Sequence, residues 1–342
     1  MPKALGLPAS IRGAGGLGRA FGGLPFNKAR VARATERLEV ALPALGMPGL
    51  DEPARRDLVL QSYAHLAKLA IEISALPRTL TPDTWYDLVD LSRCDAALVP
   101  LLRREPAVLI TGHTGNWEVL AATLGVLGFP MTALYRPLDV RPLDRWLRET
   151  RSKQGINLLD KFGAADHLPQ LMDTREPVAF VADQNAGDKG LFVPFLGRLA
   201  SSYKTIGLLT HQYGARVICG QSRRIHRPRS HPKGPLGYTL DIIDVFGPDD
   251  YQHQPDPVFY ITARYRRAIE RMVARCPEQY LWMHRMWKSR PLHERRGKPF
   301  PPRLREKLEA LPWMTEPELN ALIERSDRDA ATLNRLGVER LP

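Results

Sequence analysis

The sequence predicts an α/β protein: a mostly parallel central sheet flanked by helices, with a helical N-terminal segment before it and a helical tail after it. Three observations predict this. From residue 106 onward, short apolar runs alternate with longer stretches at helical spacing, the rhythm of strand–helix–strand units. Polar residues recur where the apolar runs end: His113, Tyr135-Arg136, Asp160-Lys161, Asp183-Gln184 and Ser222-Arg223. In parallel sheets chemistry gathers at that carboxyl edge. Finally, 342 residues with 44% hydrophobic and 25% charged content suit a soluble globular chain with a sizeable core.

Residues 1–35 carry Lys3, Arg12, Arg19, Lys28, Arg30 and Arg33, no acid, and much Gly, Ala and Pro. They predict a basic flexible N-terminal arm, drawn over 1–50. Within it Gly13-Ala14-Gly15-Gly16-Leu17-Gly18 matches the dinucleotide pattern G-x-G-x-x-G. No strand precedes it and Pro25 soon follows, so the match lacks the strand–turn–helix context that gives the pattern meaning. Residues 51–98 predict a helical segment packing on the core, with one amphipathic helix over 51–77 and a second over 82–91.

The α/β domain is drawn over 99–290. Its predicted strands are 107–111, 131–135, 156–159, 177–182, 215–221 and 237–246. The predicted helices are 116–127, 143–154, 164–174, 204–213 and 257–275. Residues 291–342 predict a charged, proline-rich tail that is helical in pieces.

The balance of 49 Lys+Arg against 37 Asp+Glu gives a net charge of +12. Such an excess fits an anionic partner: nucleic acid, an acidic membrane surface or a phosphorylated substrate. No nucleic-acid-binding motif or regular aromatic interleaving supports the first. Cys94, Cys219 and Cys276 lie far apart with no CxxC, which argues for a reducing compartment and no zinc site. No run approaches the ~20 apolar residues of a membrane span, and no signal-peptide pattern is present.

The most informative segment is Gly112-His113-Thr114-Gly115-Asn116-Trp117-Glu118. It puts an imidazole and a carboxylate at one strand-to-helix junction. A base oriented by a carboxylate can take the proton of an alcohol during acyl transfer. Nine histidines and 37 acids are enough to produce such spacing by chance, so context must carry the reading.

Downstream, Tyr135-Arg136-Pro137 closes a strand, and Arg148 and Arg151 lie near the end of the next helix. Such arginines either fix phosphate and stabilise an oxyanion, or lie on a solvated helix face. Asp183-Gln184-Asn185 ends the most apolar strand and runs through a glycine loop into Phe192-Val193-Pro194-Phe195-Leu196-Gly197-Arg198, which predicts a polar centre beside an apolar rim. An Asx-rich turn is the alternative there. Residues 223–233 hold five Lys/Arg, His226, His231 and no acid, and predict an exposed basic loop whose cationic neighbours disfavour a metal site. Trp282 and Trp287 flank His284-Arg285 and predict core packing, with Arg285 and Lys288 near the site as the lesser option.

Taken in order, the Gly112–Glu118, Tyr135–Pro137, Arg151–Gly155, Asp183-Gln184, Phe192–Arg198 and Pro277–Arg285 blocks resemble the bacterial lipid A biosynthesis (late, lauroyl/myristoyl-type) acyltransferases of the glycerolipid acyltransferase superfamily. The resemblance spans about residues 55–290. It implies a glycerolipid-acyltransferase-like fold and an O-acyltransferase acting without a cofactor at the cytoplasmic face of the bacterial inner membrane. The partners it implies are an acyl-ACP or acyl-CoA donor, an anionic lipid acceptor and the membrane surface, with no nucleic acid. On this reading His113 is the general base and Glu118 orients it. Arg151, or amides after Asn116, stabilise the oxyanion. Asn116, Arg136, Arg148, Arg151, Asp183, Gln184 and Arg198 bind substrate, and no metal takes part. A lysophospholipid or lipoamino-acid acyltransferase, or a non-catalytic lipid-binding homologue, is the alternative. Family members usually open with a hydrophobic anchor, where this chain has its basic, glycine-rich arm. They also follow the glycine loop with small residues, where this chain has Ser201-Ser202-Tyr203-Lys204.

Overall fold

The computed structural model describes residues 6–160, 163–227, 231, 233, 234 and 236–341. Its central sheet contains β1 (Val89–Asp90), β2 (Ala107–Thr111), β3 (Met131–Tyr135), β4 (Ile156–Asp160), β5 (Val178–Val181), β8 (Arg216–His226) and β9 (Leu236–Phe246), in the order β1-β9-β8-β2-β5-β3-β4. Every neighbouring pair is parallel except β8–β9. Strand β2 lies in the middle, with Ile110 beside Phe180 on one side and Cys219 on the other. A separate hairpin joins β6 (Leu191–Phe195) to β7 (Arg198–Ser202) through Leu196-Gly197, both at positive φ. That geometry matches the right-handed twist of the flanking strands.

The helices are α1 (Leu7–Gly23), α2 (Lys28–Ala41), α3 (Glu52–Thr79), α4 (Asp95–Leu102), α5 (Trp117–Val126), α6 (Arg141–Lys153), α7 (Ala164–Asp173), α8 (Lys204–Gln212), α9 (Pro257–Arg275), α10 (Pro302–Glu309) and α11 (Glu316–Leu336). Because successive side chains of a strand point to opposite faces, β2 feeds two cores. Val108 and Ile110 join Val178, Val217 and the α9 residues Ile261, Tyr265 and Ile269. Ala107 and Leu109 join Ile218 and the α4 residues Ala97 and Leu101. Next to that second core, Val119 and Ala122 of α5 pack with Leu240 of β9. Helices thus cover both faces of the sheet. Strands β2 and β3 and helix α9 fall where the sequence placed them.

Several expectations are corrected. The expected flexible arm is helical: Val31, Ala34 and Leu38 of α2 are core residues, and α1 lies against α3. A Cβ on Gly18 would sit 2.5 Å from the Tyr63 carbonyl oxygen, so this glycine of the apparent nucleotide fingerprint serves the close approach of two helices, while Gly13 and Gly16 face open space. The helix expected over 82–91 shortens to one turn, Trp85–Leu88, before β1, and the boundary drawn at 98/99 falls inside α4. The expected basic loop begins as strand: Arg223–His226 belong to β8. Residues 228–230 and 232 of that segment, and Lys3 of the arm, lie outside the described residues. Phe195 forms no rim, being fully buried in the main core. The tail is bound in as well, with Leu308, Leu319 and Leu322 in that same core.

Candidate active site

Strand β2 ends at Thr111, and the turn that follows is fastened from three directions. The Gly115 N–H donates to the Gln279 carbonyl (3.0 Å), the Asn116 N–H to the Ser222 carbonyl (2.6 Å), and the Leu281 N–H to the His113 carbonyl (3.1 Å). Gly115 has φ +60°, and a Cβ there would strike the Ser222 carbonyl, so only glycine fits. The Pro277–Lys288 segment is therefore the outer wall of this turn, beyond the core packing of its tryptophans.

Beneath the turn lies a buried charge network. Glu72 of α3 accepts from Arg224 Nε (2.5 Å) and Nη2 (2.7 Å), and from Asn116 Nδ2 (2.8 Å). Burial, and then the Arg224 guanidinium, push the His65 imidazole well below its usual range and keep it neutral. Its Nδ1 faces Arg224 Nη1 at 3.0 Å and must accept, so Nε2 carries the proton and donates to the Gly115 carbonyl at 2.9 Å. Asn116 also caps α5, its side chain accepting from the Val119 N–H. Asn116 is thus a positioning residue beneath the surface, where the sequence placed it among substrate contacts.

The carboxylate on the His113 imidazole is that of Asp183. Asp183 Oδ1 lies 2.6 Å from His113 Nδ1, and Oδ2 accepts the His113 backbone N–H at 2.9 Å. Burial pushes the Asp183 carboxyl up, but the His113 imidazole, its two hydrogen bonds and His284 outweigh that and hold it well below the usual carboxylate range. An ionised carboxylate only accepts, so Nδ1 bears the proton and Nε2 carries the free lone pair. Glu118, expected to orient His113, turns instead to the end of α6. There Arg151 donates to it through Nε (2.9 Å) and Nη2 (2.6 Å), and the Trp117 indole adds a third bond (3.0 Å). The reason is reach: a carboxylate in the first turn of α5 meets a fork-shaped guanidinium across the groove, while the end of β5 already fills the space beside Nδ1.

His113 opens into a cavity of about 1070 Å³. The inner walls are apolar: Leu109, Ala133, Ala179 and Ile218 from the sheet, Leu120 and Leu124 from α5, and Leu98 and Leu101 from α4. Around His113 the wall turns polar, with Glu118, Arg151, Gln184 and His284. Arg136 stands at the mouth, two-thirds exposed. Of the other residues expected here, Arg148 lies outside over the Tyr135 ring, 5.7 Å from its centre. Arg198 is elsewhere altogether: it pairs with Asp329 of α11 (3.0 Å) and stacks on Trp287, fastening the tail.

His284 was missed as a site residue. Its ring centre is 4.8 Å from that of His113, and Gln184 Nε2 lies 3.2 Å from its Nε2. Burial, and then the neighbouring His113, push it down to about 4, so it is neutral at physiological pH. Its sequence signals were its place between Trp282 and Trp287 after α9 and within the Pro277–Arg285 block of the family resemblance. Among the described residues no group of three or more His, Cys, Asp or Glu is arranged to hold a metal ion.

The sequence matches a family model described as bacterial lipid A biosynthesis acyltransferase over residues 3–289. It is 26% identical over 284 residues to the lipid A biosynthesis palmitoleoyltransferase of Escherichia coli (strain K12), covering 79% of this chain and 82% of that protein. Identity to the lipid A biosynthesis lauroyltransferase of the same organism is 25% over 276 residues, covering 78% and 82%. A lipid A biosynthesis acyltransferase of Haemophilus influenzae is 26% identical over 284 residues, covering 81% and 83%.

Proposed function

The chain belongs to the bacterial lipid A biosynthesis acyltransferase family, and from that we propose that it moves a fatty acyl chain from a carrier thioester, acyl-ACP or acyl-CoA, to a hydroxyl of a lipid A precursor or related glycolipid. The observation that carries this reading is the free Nε2 of His113, backed by the buried Asp183 and facing a large apolar cavity. Nε2 takes the proton of the acceptor hydroxyl while that oxygen attacks the thioester carbonyl carbon. The tetrahedral intermediate collapses, the C–S bond breaks, and the imidazolium returns its proton to the departing thiolate. Asp183 stabilises the imidazolium and keeps it in the productive tautomer. No serine nucleophile is required. The cavity between α4, α5 and the sheet takes the acyl chain, and its polar end places the carbonyl beside His113.

At the entrance Arg151 is neutralised by Glu118, while Arg136 faces Asp139 only at 4.0 Å and is two-thirds exposed, which leaves its guanidinium available to an anionic carrier or phosphorylated lipid. No helix among the described residues is long and apolar enough to cross a membrane. In this reading the enzyme works as a peripheral protein at the cytoplasmic face of the inner membrane. Two exposed apolar surfaces support attachment: Leu17, Phe21 and Phe26 on and just after α1, with Arg19 among them, and Val140, Leu143 and Trp146 at the start of α6, with Arg141 and Arg145 among them.

The test is acyl transfer from a radiolabelled acyl thioester to an under-acylated lipid A precursor. His113→Ala should lower turnover by at least about 10²-fold without unfolding the protein, the usual share of a general base. A folded His113→Ala protein with near-normal turnover rules the mechanism out.

A further inference from the structure

The Gln184 side chain stands between two imidazoles. Its Nε2 is 3.2 Å from His284 Nε2 and 3.5 Å from His113 Nε2. Which end of the amide points there is settled by chemistry. Asp183 holds the proton of His113 on Nδ1, so His113 Nε2 presents a lone pair. A carbonyl oxygen in that position would set lone pair against lone pair, whereas the NH₂ group offers one hydrogen to each ring. Gln184 therefore donates to both.

The two contacts are unequal. At 3.2 Å the bond to His284 is within the ordinary range, while 3.5 Å to His113 is long. The second hydrogen is thus aimed at the place where the acceptor hydroxyl must sit to be deprotonated, and it is held there only weakly. Once that oxygen lies against His113 Nε2 and attacks the thioester carbonyl, negative charge develops on the former carbonyl oxygen, two bonds from the attacking atom across the shared carbon. An amide hydrogen already anchored at its other end meets that charge without reorganisation.

We propose that Gln184 is the side-chain donor of the oxyanion site, and that His284 is the positioning residue that fixes the orientation of its amide. Burial keeps His284 neutral, so its Nε2 can accept and its proton stays on Nδ1. A phenyl ring there would fill the space and leave the amide free to turn. Arg151 commits its Nε hydrogen and one Nη2 hydrogen to Glu118 and keeps three others, but it is Gln184 whose side-chain donor lies 3.5 Å from His113 Nε2. The inference deepens the acyl-transfer reading of the same site and rests on it.

The experiment measures kcat and KM for transfer from an acyl thioester to an under-acylated lipid A precursor. It compares the full-length wild type with Gln184→Ala, His284→Phe, His284→Gln and the double variant Gln184→Ala/His284→Phe, with thermal melts to show that each is folded. Gln184→Ala should lower kcat by about 10²–10³-fold, the effect of losing one oxyanion donor, with KM nearly unchanged. His284→Phe should lower kcat less, and His284→Gln, which restores an acceptor, should recover most of that loss. The double variant should be no slower than Gln184→Ala, because His284 acts only through the amide. A folded Gln184→Ala enzyme with kcat within about threefold of wild type overturns the proposal, and so do losses that multiply in the double variant. A wild type that transfers no acyl chain instead overturns the acyl-transfer reading, and this inference with it.

Discussion

Replacing Asp183 by asparagine should damage catalysis more than deleting its side chain. Two donors converge on this carboxylate: the His113 backbone N–H at Oδ2 and the His113 ring Nδ1–H at Oδ1. A backbone N–H can only donate, so the single side-chain oxygen of the substituted asparagine must turn towards it. The amide NH₂ then faces Nδ1 and donates to it, which drives the imidazole proton onto Nε2. The base loses its lone pair where the substrate hydroxyl needs it. A wrong-tautomer substitution of this kind behind a histidine base costs about 10⁴-fold in kcat. Asp183→Ala leaves both tautomers accessible and should therefore retain more activity than Asp183→Asn. The assay is kcat for both variants at saturating acceptor, normalised to folded protein. Linkage gives a second readout. The Asp183 carboxyl is held below its unfolded range, so its contribution to stability is present above about pH 4, the ordinary aspartate value, and is lost as pH falls below it. Asp183→Asn should flatten that acid limb of the melting curve. An Asp183→Asn protein within about threefold of wild-type kcat refutes the argument and returns Asp183 to a turn-forming role.

Three further outcomes follow from the same contacts. Glu118→Ala should cost less activity than Asp183→Asn, because Glu118 acts through Arg151; kinetics of Glu118→Ala, Arg151→Ala and the pair should show non-additive losses, and full additivity would break the link. Glu72→Ala leaves the buried Arg224 guanidinium and the Asn116 amide without their acceptor and should cost about 3–5 kcal/mol in urea unfolding; a loss under about 1 kcal/mol contradicts it. The protein should co-sediment with anionic vesicles at low salt, be partly released near 1 M salt, where screening shortens to about 3 Å, and bind less when Leu17, Phe21 and Phe26 become serine; equal binding to neutral vesicles at every salt concentration defeats the charge-based part of this account.

Much of the fold was legible because its signals are local. Runs such as Ala107–Ile110 and Met131–Tyr135, separated by amphipathic stretches, fix strand and helix without knowledge of their neighbours. What stayed illegible depends on contacts with distant residues. The glycines of α1 look like spacers for phosphate or like flexibility until Tyr63 and Ala67 are placed against them. The Arg223-Arg224 pair reads as an exposed cationic loop until Asp241 and Glu72 neutralise it from other elements. Net charge is visible in a sequence, whereas the internal pairing that cancels it is not.

The site shows the same division. Of the expected polar strand ends, His113, Tyr135-Arg136 and Asp183-Gln184 do fall at the ends of β2, β3 and β5, whereas Ser222-Arg223 lie inside β8 and Lys161 is outside the described residues. His113 and Asp183 were not joined, because the nearest carboxylate in sequence is Glu118, whereas the nearest in space arrives from a strand 70 residues away. The register shows why. Thr111 stands beside Val181, so the chain leaves the two strands in step, and two residues further on the imidazole meets the Asp183 carboxylate. Only the adjacency of β2 and β5 turns two strand ends into a pair. Nothing in the local pattern encodes which strand lies beside which. His284 is harder still, since it reaches the site on the segment that follows α9 and ties down the Gly115 turn. A spacing motif can therefore single out a histidine at such a strand end. The carboxylate that meets its ring and the amide that faces its Nε2 are fixed by sheet topology.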